Sequence, residues 1–439
     1  MKKFMLSVVF LLSAMLANAQ TVDIDFVEYD LPNGLHVILH QDNSTPIVAT
    51  GVMYHVGSKN EDIDKTGFAH FFEHVSFGGS KNIAPGEFDV FVGEAGGTNN
   101  AYTTSDVTYY YEIFPSNQLA LGLWLESERM LHMIVDSATV STQREVVKEE
   151  KRQRYDNRPY GSFQQEIYAK AYEKHPYRWT PIGSMEHLNN ASVQDFIDFR
   201  DKFYVPNNAV LTVAGDIDIE ATKKLINDYF ADIPAGEEIN RKLPVEPEKT
   251  EEVRDEVYDE VQLPAVMVAY HVPAVGSKDY YALSMLNKVL SDGQSSRLYK
   301  SLVDNKELAV ASGSFPSGSE DPGLFTMFAI ANMGVAVDKV EEAVLEEVST
   351  LQSELISDEE FNKIRNQVES DFINGKSDVA GIANSLADYY VLYGDTDLIN
   401  TELDKYLAVS KEDIQQIAKE YLTKENRVLL HWLPKSSQQ

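Results

Sequence analysis

PIVATGVMYHV (Pro46–Val56) and PAVMVAYHV (Pro264–Val272) are two apolar runs, far apart in the chain, that end on the same Tyr-His-Val. Each begins at proline and is followed, at a nearly equal interval, by a helical pattern that stops at glycine. The first of these is GFAHFFEHVSFGG (Gly67–Gly79) and the second is ALSMLNKVLSDG (Ala282–Gly293). Each half then closes on a helix followed by a strand, over Val193–Ala214 and over Lys411–Leu433. A duplicated α+β unit, a mainly antiparallel sheet packed with helices in each of two homologous domains, is the economical reading.

The remaining segments alternate between strand and helix. Phe26–Gln41 reads as a hairpin around Pro32-Asn33-Gly34, because Asn-Gly favours a tight primed turn. Thr98–Pro115 is rich in Thr and Tyr and reads as strand with a turn near Ser105-Asp106, its Tyr109–Tyr111 cluster serving sheet packing. Gln118–Met133 and Thr142–Arg154 read as helices. Between Ile233 and Glu260 three prolines and many charges interrupt the apolar pattern, as expected of an exposed connector that includes, at most, a strand. The expected organisation is a leader over 1–19, a first domain over 20–232, a linker over 233–260 and a second domain over 261–439.

The leader expectation rests on MKKFMLSVVFLLSAMLANA, with Lys2 and Lys3 before an apolar run and Ala17-Asn18-Ala19 at its end. That pattern is read by signal peptidase, so the mature chain is expected to be exported, periplasmic or secreted. No later run is long and apolar enough to cross a membrane. The 439 residues contain no cysteine, which excludes disulfides and thiolate chemistry and leaves His and carboxylates as the only strong metal ligands. Lys and Arg number 38 against 69 Asp and Glu, a formal net charge of −31. Such a surface repels nucleic acid and anionic membranes and would attract cationic peptides, although solubility or adaptation to the medium is the plainer reading of the charge.

Ten histidines serve the whole chain, yet His70 and His74 stand four apart with Glu73 beside the second. Thr66 is the expected N-cap and Gly78-Gly79 the stop. On the helix between them Phe68, Phe71, Phe72 and Val75 make one apolar stripe, while His70, Glu73 and His74 share another face. Two imidazoles one turn apart can bind one Zn²⁺, and a carboxylate beside them can move a proton for an attacking water. The order His-x-x-Glu-His inverts the commoner zinc motif. In the duplicate helix Ser284, Asn287 and Lys288 stand opposite His70, Glu73 and His74, so the fold itself does not need the histidines. The third ligand is expected to be a carboxylate, and the Thr142–Tyr160 stretch offers Glu145, Glu149 and Glu150, among which periodicity does not choose.

HFFEH, GGTNNAYT, QREVVKEEKRQRYDN and FYVPNNAVLTVAGDID, in this order, resemble the pitrilysin/insulinase family of zinc metallopeptidases, in its processing-peptidase-like branch. The resemblance runs from near Val27 to the C-terminus. It implies His70, His74 and Glu150 as ligands of one zinc ion, through an Arg-x-Val-x-x-x-Glu context that starts at Arg144, with Glu73 as the catalytic base. It also implies that peptide substrate adds to an edge strand at Gly97–Tyr102, with Asn100 and Ala101 as contacts.

Two positions depart from the family pattern. Seven residues before Glu150, where relatives commonly carry glutamate, this chain has Gln143. In the second domain Val303 and Val310 stand where relatives often carry an Arg/Tyr pair that holds the substrate and its developing oxyanion. Neither valine can donate a hydrogen bond. The expected protein is therefore a zinc endopeptidase for unfolded peptides, forming half of an enclosed chamber. It would be the catalytic subunit of a heterodimer whose homologous partner brings the Arg/Tyr pair. A homodimeric peptidase and a non-catalytic peptide-binding or scaffold subunit are the alternatives.

Overall fold

The computed structural model describes residues 23–438, so the leader expected over 1–19 lies outside the described residues. Two sheets form the frame. In the first half β1 (Val27–Asp30), β2 (His36–Gln41), β3 (Ile47–Tyr54), β4 (Thr98–Thr103), β5 (Thr108–Pro115) and β6 (Ala209–Gly215) lie in the order β1-β2-β6-β3-β5-β4. In the second half β7 (Val253–Asp259), β8 (Ala265–Val272), β9 (Ala309–Pro316), β10 (Gly323–Ala331) and β11 (Arg427–Pro434) lie in the order β7-β11-β8-β10-β9. Apart from β1 the two orders match strand for strand. The β2–β6 and β7–β11 pairs are parallel, and every other pairing is antiparallel. The duplication read from Tyr-His-Val is thus a duplication of topology.

The two quoted runs lack polar alternation because both faces of each sheet are covered. Val48, Val52 and Tyr54 of β3 face the core of their own half, and Val266, Val268 and Tyr270 of β8 do the same in theirs. On the opposite faces the cover is reciprocal. The Val379–Asp388 helix, from the second half, packs on Ile38, Ala49, Val210 and Ala214 of the first sheet. The Phe163–Ala171 helix and Tyr172, from the first half, pack on Ala265, Met267 and Trp432 of the second. Each half completes the other's hydrophobic burial, which is the dominant favourable term in folding.

The repeated histidines also reach across. His55 Nε2 lies 2.7 Å from Glu320 of the second half, and His271 Nε2 lies 2.9 Å from the Ala171 carbonyl of the first. Beside them Lys59 is buried and pairs with Asp106 (2.8 Å), Glu320 (2.5 Å) and Asp321 (3.0 Å). Those partners hold its ammonium above the usual lysine range, against the opposing effect of burial.

Local expectations are met in outline. The hairpin is not the tight primed turn expected at Asn33-Gly34: residues 31–35 link the strands, the Gly34 amide donates to the Leu31 carbonyl (2.9 Å), and Gly34 but not Asn33 takes the left-handed conformation (φ 85°) that suits glycine. Four helices of the first half frame the site: α1 (Phe68–Val75), α2 (Glu87–Glu94), α3 (Leu119–His132) and α4 (Ser137–Lys151). The last starts earlier than Thr142 because the Asp136 side chain accepts the Thr139 amide (2.8 Å) and caps it. It ends at Lys151, and Arg152–Asp156 continue as a wider π-type turn. Residues 234–250 are irregular, and the connector segment then supplies β7.

Candidate metal centre

The α1 helix is short, so its orientation depends on what holds its ends and its apolar face. Phe68, Phe71, Phe72 and Val75 are all buried. Each such side chain contributes roughly 1.5–3 kcal/mol of burial. Phe68 stacks on Phe196 (ring centroids 4.7 Å apart), and Phe72 packs on Tyr204 (4.1 Å).

Thr66 does not cap the helix. The residue before α1 is Gly67 (φ 94°), and no Thr66 contact with a helix amide is made; Thr66 Oγ1 lies 2.8 Å from His187 Nδ1 instead. The capping acceptor is Glu61, whose carboxylate takes the amides of Gly67 (2.9 Å) and Ala69 (2.7 Å). A carboxylate suits a helix N-terminus, although burial pushes the Glu61 carboxyl up to about 8 against the pull of those amides.

At the other end Arg129, buried on α3, donates to the Ser76 carbonyl (3.3 Å), where a cation complements the helix dipole. Its guanidinium lies against the rings of Phe77, Phe88 and Tyr110 at 4.6, 4.5 and 4.4 Å from their centroids. It pairs with the buried carboxylates of Glu112 (3.3 Å) and Glu126 (3.0 Å). Burial and the neighbouring Glu126 drive Glu112 far above the usual carboxylate range.

On the remaining face of α1, His70 Nε2 and His74 Nε2 lie 3.7 Å and 3.2 Å from one oxygen, Oε2 of Glu150 on α4. One donor atom from each of these three residues falls within 4.8 Å of the others. Of the three glutamates left open on α4, the structure brings Glu150 alone to the histidines. Glu145 instead pairs with Lys148 of the same helix (2.9 Å), and Glu149 with Arg152 just past its end (3.2 Å). The second oxygen of Glu150 accepts from Arg154 (2.8 Å), one turn further on. Burial, then His74, holds His70 down at about 4, so the imidazole is neutral, the form that ligates metal. The hydrogen bond from His74 holds Glu150 below the usual range, in its anionic form. Two imidazoles and one anionic carboxylate, with no thiolate, are the kind of donor set found in open zinc sites.

Gln143 lies one α4 heptad before Glu150 and is half-buried. His70 Nδ1 is buried and has no hydrogen-bond partner among the described residues. A histidine ligand ordinarily donates that N–H to an outer acceptor, and Gln143 does not serve as one here.

Glu73 stands beside the trio. Thr103 Oγ1, at the end of β4, donates to its Oε2 (2.6 Å). Burial holds the Glu73 carboxyl above the usual range despite that hydrogen bond, which moves it toward the operating range of a general base. Sequence reasoning missed Thr103, Glu61, Arg129 and Arg154. Only Arg154, at i+4 from Glu150, carried a local signal.

Strand β4 is the outer strand of its sheet, paired only with β5 among the described residues. Asn100 and Ala101 lie in it, and Asn100 Oδ1 accepts the Ala101 amide (2.9 Å). Ala101 packs toward the core on the α1 side, as Thr103 does, whereas Tyr102 packs on the other face of the sheet against Met53 and Tyr109. Val303 is partly buried against the second core, and Val310 is exposed on the edge strand β9.

The second half holds a degenerate image of this centre. On the Lys278–Ser291 helix Asn287 Oδ1 accepts from Ser314 Oγ of the outer strand β9 (2.7 Å), as Glu73 accepts from Thr103 of β4. Lys288, opposite His74, pairs with Asp371 of the Asp358–Asn374 helix, as His74 meets Glu150 of α4.

Comparisons with known proteins bear on the family and the fold. The model of the insulinase family (peptidase family M16) matches residues 36–182, and that of the peptidase M16 inactive domain matches 190–368. A Helicobacter pylori protein named zinc protease PqqE is 33% identical over 395 residues, 89% of each chain. The crystal structure of a protease from the same organism superposes with a TM-score of 0.90 at 31% identity, covering 94% of this chain and all (100%) of that one. The periplasmic protease PqqL of Escherichia coli shares the fold (TM-score 0.77, 18% identity), with 94% of this chain matching 48% of that one. On the matched family models and the Helicobacter relative, this chain belongs to the insulinase family of peptidases, family M16.

Proposed function

We propose that the chain is a zinc-dependent endopeptidase that hydrolyses unfolded peptides, with His70, His74 and Glu150 holding one Zn²⁺ and Glu73 acting as the base. The observation that carries this reading is the convergence of both imidazole Nε2 atoms on Glu150 Oε2, with Glu73 on the same helix face. A zinc ion there would polarise the scissile carbonyl and make a water more acidic. Glu73 then takes a proton from the attacking water and delivers it to the leaving amine. Thr103 holds the carboxylate for both transfers. The substrate lies along the outer edge of β4 as an added strand, where Asn100 and Ala101 face it, and its backbone rather than its side chains supplies most of the grip.

The chain acts as the catalytic subunit of a pair. Val303 and Val310 leave the second half without a donor for the developing oxyanion, and a homologous partner carrying Arg and Tyr there would supply it. The length of the PqqL chain, of which this fold covers 48%, supports such pairing of two related units. The basic start and Ala17-Asn18-Ala19 support export of the mature chain to the periplasm or medium.

Glu73→Gln tests the chemistry. It should retain zinc and lose at least a hundredfold in kcat on an unstructured peptide, because one proton-transfer group is worth roughly 10²–10⁴ in rate. Undiminished hydrolysis by this variant would refute the assignment. Solution mass with and without the candidate partner separates heterodimer from homodimer.

A further inference from the structure

Tyr102 sits between Ala101 and Thr103 on β4, yet its side chain points to the sheet face away from Glu73. There it enters a cavity of about 470 Å³ between the two halves. Tyr168, Tyr172 and Tyr177 line the same cavity, as do two carboxylates, Asp106 and Asp388, and among the described residues no lysine or arginine lines it.

The two carboxylates differ in their partners. Asp106 is already satisfied by Lys59 (2.8 Å) and by the Tyr177 hydroxyl (2.5 Å). Asp388 has a single partner among the described residues: Asn384 Nδ2 donates to its Oδ2 (2.6 Å). Asn384 in turn accepts the Tyr102 hydroxyl (2.7 Å), which ties the carboxylate to the edge strand. Its Oδ1 makes no hydrogen bond among those residues, and no cation lies within ion-pair distance. Burial pushes the Asp388 carboxyl up to about 7, so its charged form is held at a cost that an incoming cation would remove.

Tyrosine rings and an unpaired carboxylate lining one cavity are the chemistry of cation recognition. A peptide added along β4 presents its side chains alternately to the two faces of the sheet. Those on the Glu73 face lie at the reacting centre, and those on the Tyr102 face lead toward this cavity.

We infer that the cavity beside Tyr102 is a specificity subsite that takes a cationic side chain, lysine or arginine, of the bound peptide, with Asp388 as its counter-ion. The inference rests on the peptidase reading and on strand addition at β4. It assigns a role to Asp388, which takes no part in the reaction itself. The surplus of acidic residues, 69 against 38 basic ones, would draw such peptides toward the molecule.

The test is a set of otherwise neutral peptides carrying lysine or the uncharged isostere norleucine at each position in turn, cleaved by wild type and by Asp388→Asn. Wild type should favour lysine, at one position near the scissile bond, by about tenfold in KM with kcat little changed. In Asp388→Asn the lysine-to-norleucine ratio should fall to about one. Because the readout is a ratio, a general loss of fold or turnover cancels from it. An unchanged ratio in the variant, or no preference in wild type, overturns the inference. Calorimetry on Glu73→Gln with the lysine peptide and with spermidine separates the two sources of the same chemistry. Tight binding of spermidine with no discrimination between peptides would assign the cavity to a free polyamine and overturn the substrate role. Cleavage of none of the peptides by wild type and partner would instead refute the peptidase reading, while the calorimetry still decides what the cavity binds.

Discussion

Thr103 governs Glu73 by a single hydrogen bond of 2.6 Å, and that bond separates a carboxylate that is merely present from one that is aimed. Thr103→Val keeps the shape of the side chain and removes the donor. It should lower kcat about tenfold to a hundredfold with zinc content unchanged, read from steady-state kinetics beside metal analysis. A rate within twofold of wild type would mean that Glu73 is positioned by packing alone. At this scale the centre is largely legible in the sequence. Histidines four apart on a helix must project together, and the family context of Arg144 singles out Glu150. The supports are not legible. Glu61 caps α1 from a preceding loop and leaves Thr66 to His187. Thr103 arrives from a strand thirty residues on, a distance over which no local pattern speaks.

The elements repeat more faithfully than their residues do. Thr103 with Glu73 on β4 and α1 becomes Ser314 with Asn287 on β9 and the Lys278–Ser291 helix, so the hydrogen bond between outer strand and helix is kept while the acid is lost. Where the first half gathers His74 and Glu150, the second sets Lys288 against Asp371, with Asp292 3.1 Å away. An ammonium there supplies the positive charge between the two helices that an ion would supply in the first half. Lys288→Met leaves two largely solvated carboxylates without their cation and should destabilise the fold by about 0.5–1 kcal/mol. Thermal unfolding would register this, with zinc content the same as in wild type; an unchanged melting temperature would make the pair a surface contact of no consequence. The repeat of strand, helix and glycine stop is readable in advance because periodicity and turn residues are local. The exact span of α4 is not, since its start depends on Asp136 as a cap and its end passes into a π-type turn.

For the molecule as a whole, the two halves are one packed object. Each lends a helix to the outer face of the other's sheet, and the Tyr-His-Val histidines brace the junction. Amphipathic patterns say that the Phe163–Ala171 and Val379–Asp388 helices bury a face, but not against which sheet, so this exchange is invisible to sequence reasoning. Lys59 is the electrostatic centre of the junction. Lys59→Met strands Asp106, Glu320 and Asp321 and should cost about 3–5 kcal/mol, since one partner of a buried network is removed. Chemical denaturation should record that loss as a single cooperative transition at lower midpoint, and two separated transitions would contradict the coupling of the halves. All of this frame serves to hold α1 against α4, and the central claim is that a metal ion sits between them. Its most direct test is the zinc content, by elemental analysis, of the wild-type chain and of His70→Ala purified in parallel without chelators. One zinc per chain is expected in wild type and almost none in the variant; equal zinc in both, or none in either, would mean that no ion is held there.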